Sequence, residues 1–317
     1  MKLIIQIPCF NEEQTIATTV GDLPVEIPGI DKIEYLVIDD GSTDGTVEAA
    51  RKSGVHHILS LGTNRGLGTA FSRGIEKALS LGADIVVNTD ADNQYRGEDI
   101  PKLVRPIMRN EADLVVGNRP IKEHPEFSAV KKLLQLIGSW ALRNISRTEV
   151  RDAASGFRAF SRDACLRLFV HTRFSHCMET LIQAGNAHLR VVAVDIRINP
   201  KTRSSRLFQS VTQYVVKSGG TILMMFCLYR PGAFFFIFAA AFMFMALVLG
   251  IRYSYLAFYL SEGVGRHLAS LILLSIFAFW GVLFAALGII GEITKVSRRV
   301  NEENLYLARK QAQGKSD

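Results

Sequence analysis

Residues 85–95 read IVVNTDADNQY, an apolar run that ends in two carboxylates, Asp90 and Asp92, one residue apart, with Gln94 two further on. Like charges this close oppose each other's ionisation unless a positive charge lies between them. Asp90, Asp92 and Gln94 offer hard oxygen ligands of the kind that suit Mg2+ or Mn2+, ions that keep waters and bridge substrate phosphates. No His or Cys accompanies them, which argues against zinc. Two further acidic segments, PCFNEE (8–13) and DDGSTDGT (39–46), also follow apolar runs. Carboxylates at strand ends can accept hydrogen bonds from a nucleobase or from ribose hydroxyls. A lone DDGSTDGT is equally an ordinary turn leading into a helix capped by Asp44 or Thr43. Basic groups complement the acidic ones: Arg119 in VVGNR, Arg158 in SGFR, and Arg203 and Arg206 around Ser205 in TRSSRL. The planar guanidinium fork is well shaped for phosphate.

These segments need a scaffold that brings strand ends together. LIIQI (3–7), YLVID (35–39), HIL (57–59), DIVVN (84–88) and DLVVG (113–117) read as strands. Glu12 to Gly21, Gly45 to Ser53, Gly66 to Leu81 and Glu98 to Arg109 read as helices between them. Continuous apolar strands alternating with helices predict an α/β fold with a mostly parallel, Rossmann-like sheet covered on both faces. Ligands of such sheets bind beyond the carboxyl ends of the strands, where every segment named above falls. A helix over Ser128 to Asn144 and a strand near Val191 to Ile196 are expected further along.

The mean hydropathy of +0.18 comes from two uncharged runs near the C-terminus of the 317-residue chain. Residues 232–251 and 268–291 span about 20 and about 24 residues, enough to cross a hydrocarbon core of about 30 Å. The apolar stretch at the N-terminus is too short for a signal peptide, so the first 200 or so residues are expected to stay on the side of synthesis. Lys201, Arg203, Arg206, Lys217 and Arg230 precede the first run, and Lys295, Arg298 and Arg299 follow the second. Few charges lie between the runs, so an integral membrane protein with both termini and the catalytic domain cytoplasmic is expected. The predicted divisions are a cytosolic domain (1–206), interfacial helices (207–230), a two-helix transmembrane hairpin (231–291) and a cytosolic tail (292–317). Ala246 with Gly250, and Gly281 with Ala285, permit close helix packing and a homo-oligomer. The net charge of +7 clusters beside the membrane, without a basic stripe interleaved with aromatics, which argues against nucleic acid. Four cysteines without close pairing fit a reduced compartment and no metal site of their own.

Taken in order, PCFNEE, DDGSTDGT, NRGLGTAF (64–71), TDADNQY (89–95), GNR (117–119) and DAASGFRAF (152–160) resemble the family-2 glycosyltransferases of GT-A fold. Within them the chain is similar to the dolichyl-phosphate mannose synthase and polyprenyl-phosphate glycosyltransferase branch, over about residues 2 to 207. The two C-terminal runs resemble the paired-helix anchor of some bacterial members. The resemblance implies inverting transfer of a hexose from a nucleotide-sugar to a polyisoprenyl phosphate, with Mg2+ or Mn2+ as cofactor. It further implies that Pro8, Phe10, Glu12, Asp39 and Asp40 hold the nucleoside, and that Asp90, Ala91, Asp92 and Gln94 hold diphosphate and metal. Arg119, Ser155 and Arg158 would meet the acceptor phosphate, and Arg203, Ser205 and Arg206 would close over the donor. Where the family commonly carries an Asp-Gly-Glu-Ser-Lys-like loop, this last segment reads RSSRL. Asp152 is then the candidate base or orienting group and Glu179 a contact to a sugar hydroxyl. For Glu179 a helix-start carboxylate is the competing reading. A membrane-anchored nucleotide-sugar binder without catalysis, serving a flippase, is the rival from another class. A processive synthase would need more spans and a Gln-x-x-Arg-Trp motif, which the sequence lacks.

Overall fold

The central strands are apolar throughout because helices cover both of their faces. β1 (Lys2–Cys9) is buried from its second residue, Leu3, onward, and β4 (Ile85–Asn88) is buried at all four positions. In the computed structural model, which describes residues 1–120, 148, 150, 152–170, 176–200, 220, 223–224, 226–259 and 268–314, seven strands form one sheet in the order β3-β2-β1-β4-β6-β5-β7. β2 (Lys32–Asp39), β3 (His57–Ser60), β5 (Leu114–Asn118) and β7 (Val191–Asp195) join β1 and β4 at or near the expected positions. The helices are α1 (Ile16–Gly21), α2 (Thr46–Lys52), α3 (Leu67–Ser80), α4 (Ile100–Met108), α5 (Arg162–Arg167) and α6 (His176–Asn186). α1 begins four residues later than expected, because the amides of Thr15 and Ile16 both turn back onto the Glu12 carbonyl.

One strand departs from the expected sheet. β6 (Arg158–Ser161) inserts between β4 and β5 and runs antiparallel to both. Its Arg158-Ala159-Phe160 run is too short and too mixed to announce a strand. The insertion has a positional consequence: the start of β6, not its end, meets the carboxyl end of β4, with Asn88 opposite Arg158.

The chain divides into two compact units, Met1–Gly219 with Glu302–Asp317, and Gly220–Asn301. The second contains α7 (Pro231–Ser254) and most of α8 (Leu268–Gly314), both long and apolar enough to cross a membrane by length and composition. Within this unit a Cβ on Gly281 would meet Met243 Cγ at 2.7 Å, so glycine allows the two helices to approach. Phe235, Phe238 and Phe242 of α7 bring their rings against Phe284 of α8. Gly250 and Gly281, expected to serve association between copies, here face Leu274 and Met243 across the hairpin.

The predicted tail is not a separate element. α8 continues unbroken to Gly314 through a run rich in Glu, Lys, Arg, Leu and Ala, all good helix formers. Its last turns belong to the first unit, where Tyr306 Oη donates to Asp163 at 2.9 Å and the Arg309 guanidinium lies 4.0 Å over the Phe169 ring. The expected helix at 128–144 and nearly all of the stretch at 207–225 lie outside the described residues.

Candidate active site

Parallel pairing places the carboxyl ends of β1, β2 and β4 along one edge of the sheet, with Cys9 beside Asp39 and Gln6 beside Asn88. β5 ends at the same edge, at Asn118, and β6 starts there. The sheet therefore gathers Phe10 to Glu12, Asp39 and Asp40, Asp90 to Gln94, Arg119, and Ser155 to Arg158.

The β4 loop is the least satisfied of these segments. No donor among the described residues is hydrogen-bonded to the Asp90 carboxylate. Burial pushes Asp90 up to about 7, with the Asp92 charge adding to the rise and His176 and Arg119 opposing it. The Asp92 carboxylate accepts the Gln94 amide at 3.1 Å, and the buried Ala91 offers its carbonyl to Thr19 Oγ1 at 3.0 Å. Asn93 takes the left-handed conformation, φ 55°, that asparagine tolerates better than most residues. Its side chain donates to Asp22, and its carbonyl accepts from Asn199. The loop is thus fixed by its backbone and neighbours while the Asp90 oxygens are kept out of that network. Two carboxylates and an amide oxygen on one short loop are a donor set for a hard divalent cation whose remaining ligands come from phosphate or water. Among the described residues no group of three or more His, Cys, Asp or Glu forms a closed metal cage.

Facing this loop, Arg119 and Asp152 form a bidentate pair, with Nε to Oδ2 at 2.6 Å and Nη2 to Oδ1 at 3.0 Å. Asp152 is 1% exposed, whereas the Arg119 side chain keeps 20% exposure and its Nη1 makes no hydrogen bond among the described residues. Both Asp152 oxygens are thus turned to the guanidinium, which makes this carboxylate the group that aims Arg119. Ser155 is fully buried, and its hydroxyl has no hydrogen-bond partner among the described residues.

Arg158 is placed differently from the expectation of an acceptor contact. It is fully buried and makes four hydrogen bonds, to the carbonyls of Ser155, Ala153 and Cys177 and to Thr180 Oγ1. Its guanidinium ties the 153–158 loop to α6 and is not presented to a phosphate. The antiparallel entry of β6 is the cause, since it turns this first strand residue into the interior. Glu179 is also buried, in the first turn of α6, within 3.4 Å of Gln183 Nε2.

On the nucleoside side, Pro8 is buried within β1, and Phe10 just beyond it is 38% exposed. Asp39 accepts from the Ser42 amide and the Ser60 hydroxyl, both at 2.9 Å. Asp40 accepts from the amides of Arg65 and Gly66, both at 2.8 Å, and so caps the start of α3. Glu12 is buried, accepts from Thr15 Oγ1 and donates its own amide to Thr46 Oγ1. These carboxylates build the loops that would surround a nucleoside. Arg203, Ser205 and Arg206 lie outside the described residues.

Several contributors escaped the sequence reading. Asn11, at φ 56°, bridges the β1 and β2 ends by accepting the Thr43 amide while its own amide donates to Ser42 Oγ. Asn199 donates its amide to the Gln94 carbonyl and holds Arg96. His176 stacks on Phe71 at 4.1 Å, and burial lowers it to about 3, so it is neutral at physiological pH. An Asn directly after a strand or an acidic pair is a recognisable left-handed turn signal. Asn199 and His176 carried none, because their partners are distant in sequence.

Residues 4–169 match the family model described as Glycosyl transferase family 2. An uncharacterized protein of Methanocaldococcus jannaschii is 34% identical, over 62% of this chain and 81% of its own length. The UDP-N-acetylglucosamine–dolichyl-phosphate N-acetylglucosaminyltransferase of Methanococcus voltae is 32% identical, over 60% of this chain and 83% of its own. The undecaprenyl-phosphate mannosyltransferase of Micrococcus luteus is 32% identical, over 51% and 68%. Among solved structures, glucosyl-3-phosphoglycerate synthase of Mycobacterium tuberculosis, crystallised with Mn2+, UDP-glucose and glycerol 3-phosphate, superposes with a TM-score of 0.55 at 22% identity, over 71% of this chain and 79% of that one. At that identity the likeness concerns the fold, a Rossmann-like, mostly parallel mixed sheet of GT-A type.

Proposed function

The chain belongs to glycosyltransferase family 2, and from that premise we propose that it transfers a hexose from a UDP- or GDP-sugar to a polyisoprenyl phosphate, with inversion at the anomeric carbon. The product is a lipid-linked sugar for envelope glycan or protein glycosylation. The observation that carries this reading is the Asp90 carboxylate, held beside Asp92 without a hydrogen-bond donor among the described residues, at a sheet edge that also carries the partly exposed Arg119. The relatives from Methanococcus voltae and Micrococcus luteus, whose names include dolichyl and undecaprenyl phosphate, support the acceptor class.

In this reading Asp90, Asp92 and Gln94 hold Mg2+ or Mn2+, and the structural neighbour crystallised with Mn2+ and UDP-glucose supports the ion class. When bound, such an ion neutralises charge on the departing diphosphate. The nucleophile is an oxygen of the acceptor phosphate, which is largely dianionic near pH 7 because the second pKa of a phosphate monoester is about 6. It attacks the anomeric carbon, and the bond between that carbon and the nucleotide diphosphate breaks with its electron pair passing to the diphosphate. Such a nucleophile needs little help from a base. Asp152 accordingly serves to orient Arg119, whose free Nη1 receives the phosphate and holds two anions in one site. Asp39, Asp40 and Glu12 set the loops that take the nucleoside, and Arg203, Ser205 and Arg206 close over the donor.

In this reading the two apolar helices, long enough by length and composition to cross a membrane, anchor the enzyme, and the flanking Lys and Arg residues support a catalytic domain and termini on the cytoplasmic side. Membranes containing the chain, given radiolabelled nucleotide-sugars and polyprenyl phosphate, are expected to yield labelled lipid. Absence of labelled lipid across the donor panel would instead favour a nucleotide-sugar-binding scaffold.

A further inference from the structure

Gly156 lies between the two halves of the site and is gripped at both ends of its backbone. Its carbonyl accepts from Asn88 Nδ2 at 2.9 Å, and its amide donates to Tyr95 Oη at 3.2 Å. Asn88 in turn accepts from Gln6 Nε2 at 2.9 Å, so a line of amide groups runs from β1 through β4 to the loop before β6. The Tyr95 ring stacks on Phe157 at 4.9 Å with an interplanar angle of 6°. Tyr95 itself is anchored, through an antiparallel bridge to Ile198. Asn88, Gln6 and Tyr95 are all buried.

Sequence and space coincide in this arrangement. Asn88 stands two residues before Asp90, and Tyr95 three residues after Asp92. The two residues that flank the acidic loop therefore close on one peptide of the facing loop. The closure is tight: a Cβ on Gly156 would lie 3.1 Å from Asp90 Oδ1, closer than about nine in ten real Cβ contacts, so a side chain here would have to push the carboxylate back by a few tenths of an ångström. The gripped segment also carries Ser155, whose buried hydroxyl has no partner among the described residues, and is continuous with Asp152, the partner of Arg119. Buried amides inside a sheet cost desolvation that apolar side chains avoid. What they supply is a fixed position.

We propose that Asn88 and Tyr95 are positioning residues that clamp the Ser155–Phe157 backbone onto Asp90 and so set the separation between the donor side and the acceptor side of the site. The consequence for transfer rests on the glycosyltransferase reading above; the clamp itself does not. Misplacing reacting groups by about 1 Å can cost about a hundredfold in rate without loss of binding.

Two variants of the full chain in lipid nanodiscs test this. Tyr95→Phe removes only the hydroxyl and keeps the ring on Phe157. The double variant Q6L/N88L removes both amides together, so neither is left facing an apolar group, and only the Gly156 carbonyl loses its donor. Amide hydrogen exchange across residues 153–158 is expected to accelerate in both, with both variants still folding cooperatively and unfolding midpoints lowered by only a few degrees. Turnover is expected to fall about tenfold at saturating substrates, with KM for the nucleotide-sugar within about twofold. Exchange identical to the parent overturns the clamp, and so does accelerated exchange with unchanged kcat. An equal rise in donor KM would also overturn it, because that marks general damage. If the double variant does not fold, Tyr95→Phe alone decides by the same readings. If the parent itself labels no lipid, the transfer reading fails, while the exchange measurement still decides whether Asn88 and Tyr95 hold the loop.

Discussion

The strand ends after β2 and β4 carry similar pairs of carboxylates in opposite surroundings. At the end of β2, Asp39 and Asp40 each have both oxygens engaged, by a backbone amide and a hydroxyl in one case and by two backbone amides in the other. At the end of β4, Asp90 is half-buried beside a second carboxylate, and no donor among the described residues is hydrogen-bonded to it. The first pair completes loops, whereas the second leaves the Asp90 oxygens without a protein donor among the described residues. Asp152 stands between these extremes, satisfied by a side chain that remains partly open to solvent. Sharing a residue type and a sheet edge therefore does not assign a role, and the donors around each oxygen do.

The largest effect should come from breaking the β4 pair. Asp92→Ala is expected to reduce transfer by about a thousandfold or more, corresponding to several kcal/mol of charge stabilisation, and a chelator should do the same to the parent. Membrane insertion should be unaffected. Appreciable turnover by Asp92→Ala in the labelled-lipid assay would sink the metal assignment. Next, Arg119→Lys keeps the charge but loses the fork, and kcat is expected to fall about a hundredfold. Arg119→Ala goes further and leaves Asp152 buried without its counter-charge, destabilising the domain by about 3–5 kcal/mol in denaturant titrations. Asp40→Ala addresses the other side of the contrast. It should lower stability by about 2 kcal/mol through two lost charge-assisted amide bonds, with a smaller loss of rate than Asp92→Ala. A rate loss matching Asp92→Ala in a stable Asp40→Ala protein would erase the distinction between the pairs.

The smallest expected effect is on pH dependence without a divalent ion. The Asp90 pKa is raised in the folded chain, so the folded state holds a proton that the unfolded state has released. Its contribution to stability is complete below the ordinary carboxylate value near 4 and is lost as pH rises to about 7. The melting temperature of the metal-free protein should therefore fall by a few degrees across that window, and saturating Mn2+ should flatten the slope. An unchanged slope in Asp90→Asn would show that another group titrates there.

Six parallel strands and most of their helices were legible because buried strands and amphipathic helices leave periodic signals in the sequence. β6 was not, since a four-residue strand beginning with arginine looks like a loop until its neighbours are known. The same blind spot hid the fate of Arg158. Its residue type suggested phosphate, but the direction of its strand turned it inward. The acidic loop was legible because Asp-x-Asp after an apolar run poses an electrostatic problem without any coordinates. Asn88, Tyr95 and Asn199 were not, because their hydrogen-bond partners lie roughly 60 to 110 positions away along the chain and no local pattern encodes such a pairing.

The docking of Tyr306 and Arg309 has a practical side. A chain cut before α7 to obtain a soluble enzyme would also discard the helical end that covers Phe169 and engages Asp163 and Glu76. A workable soluble version should restore residues 302–314, either fused behind a flexible linker or added as a separate peptide. Its thermal midpoint, with and without that peptide, would measure how far the catalytic domain depends on the far end of its own anchor.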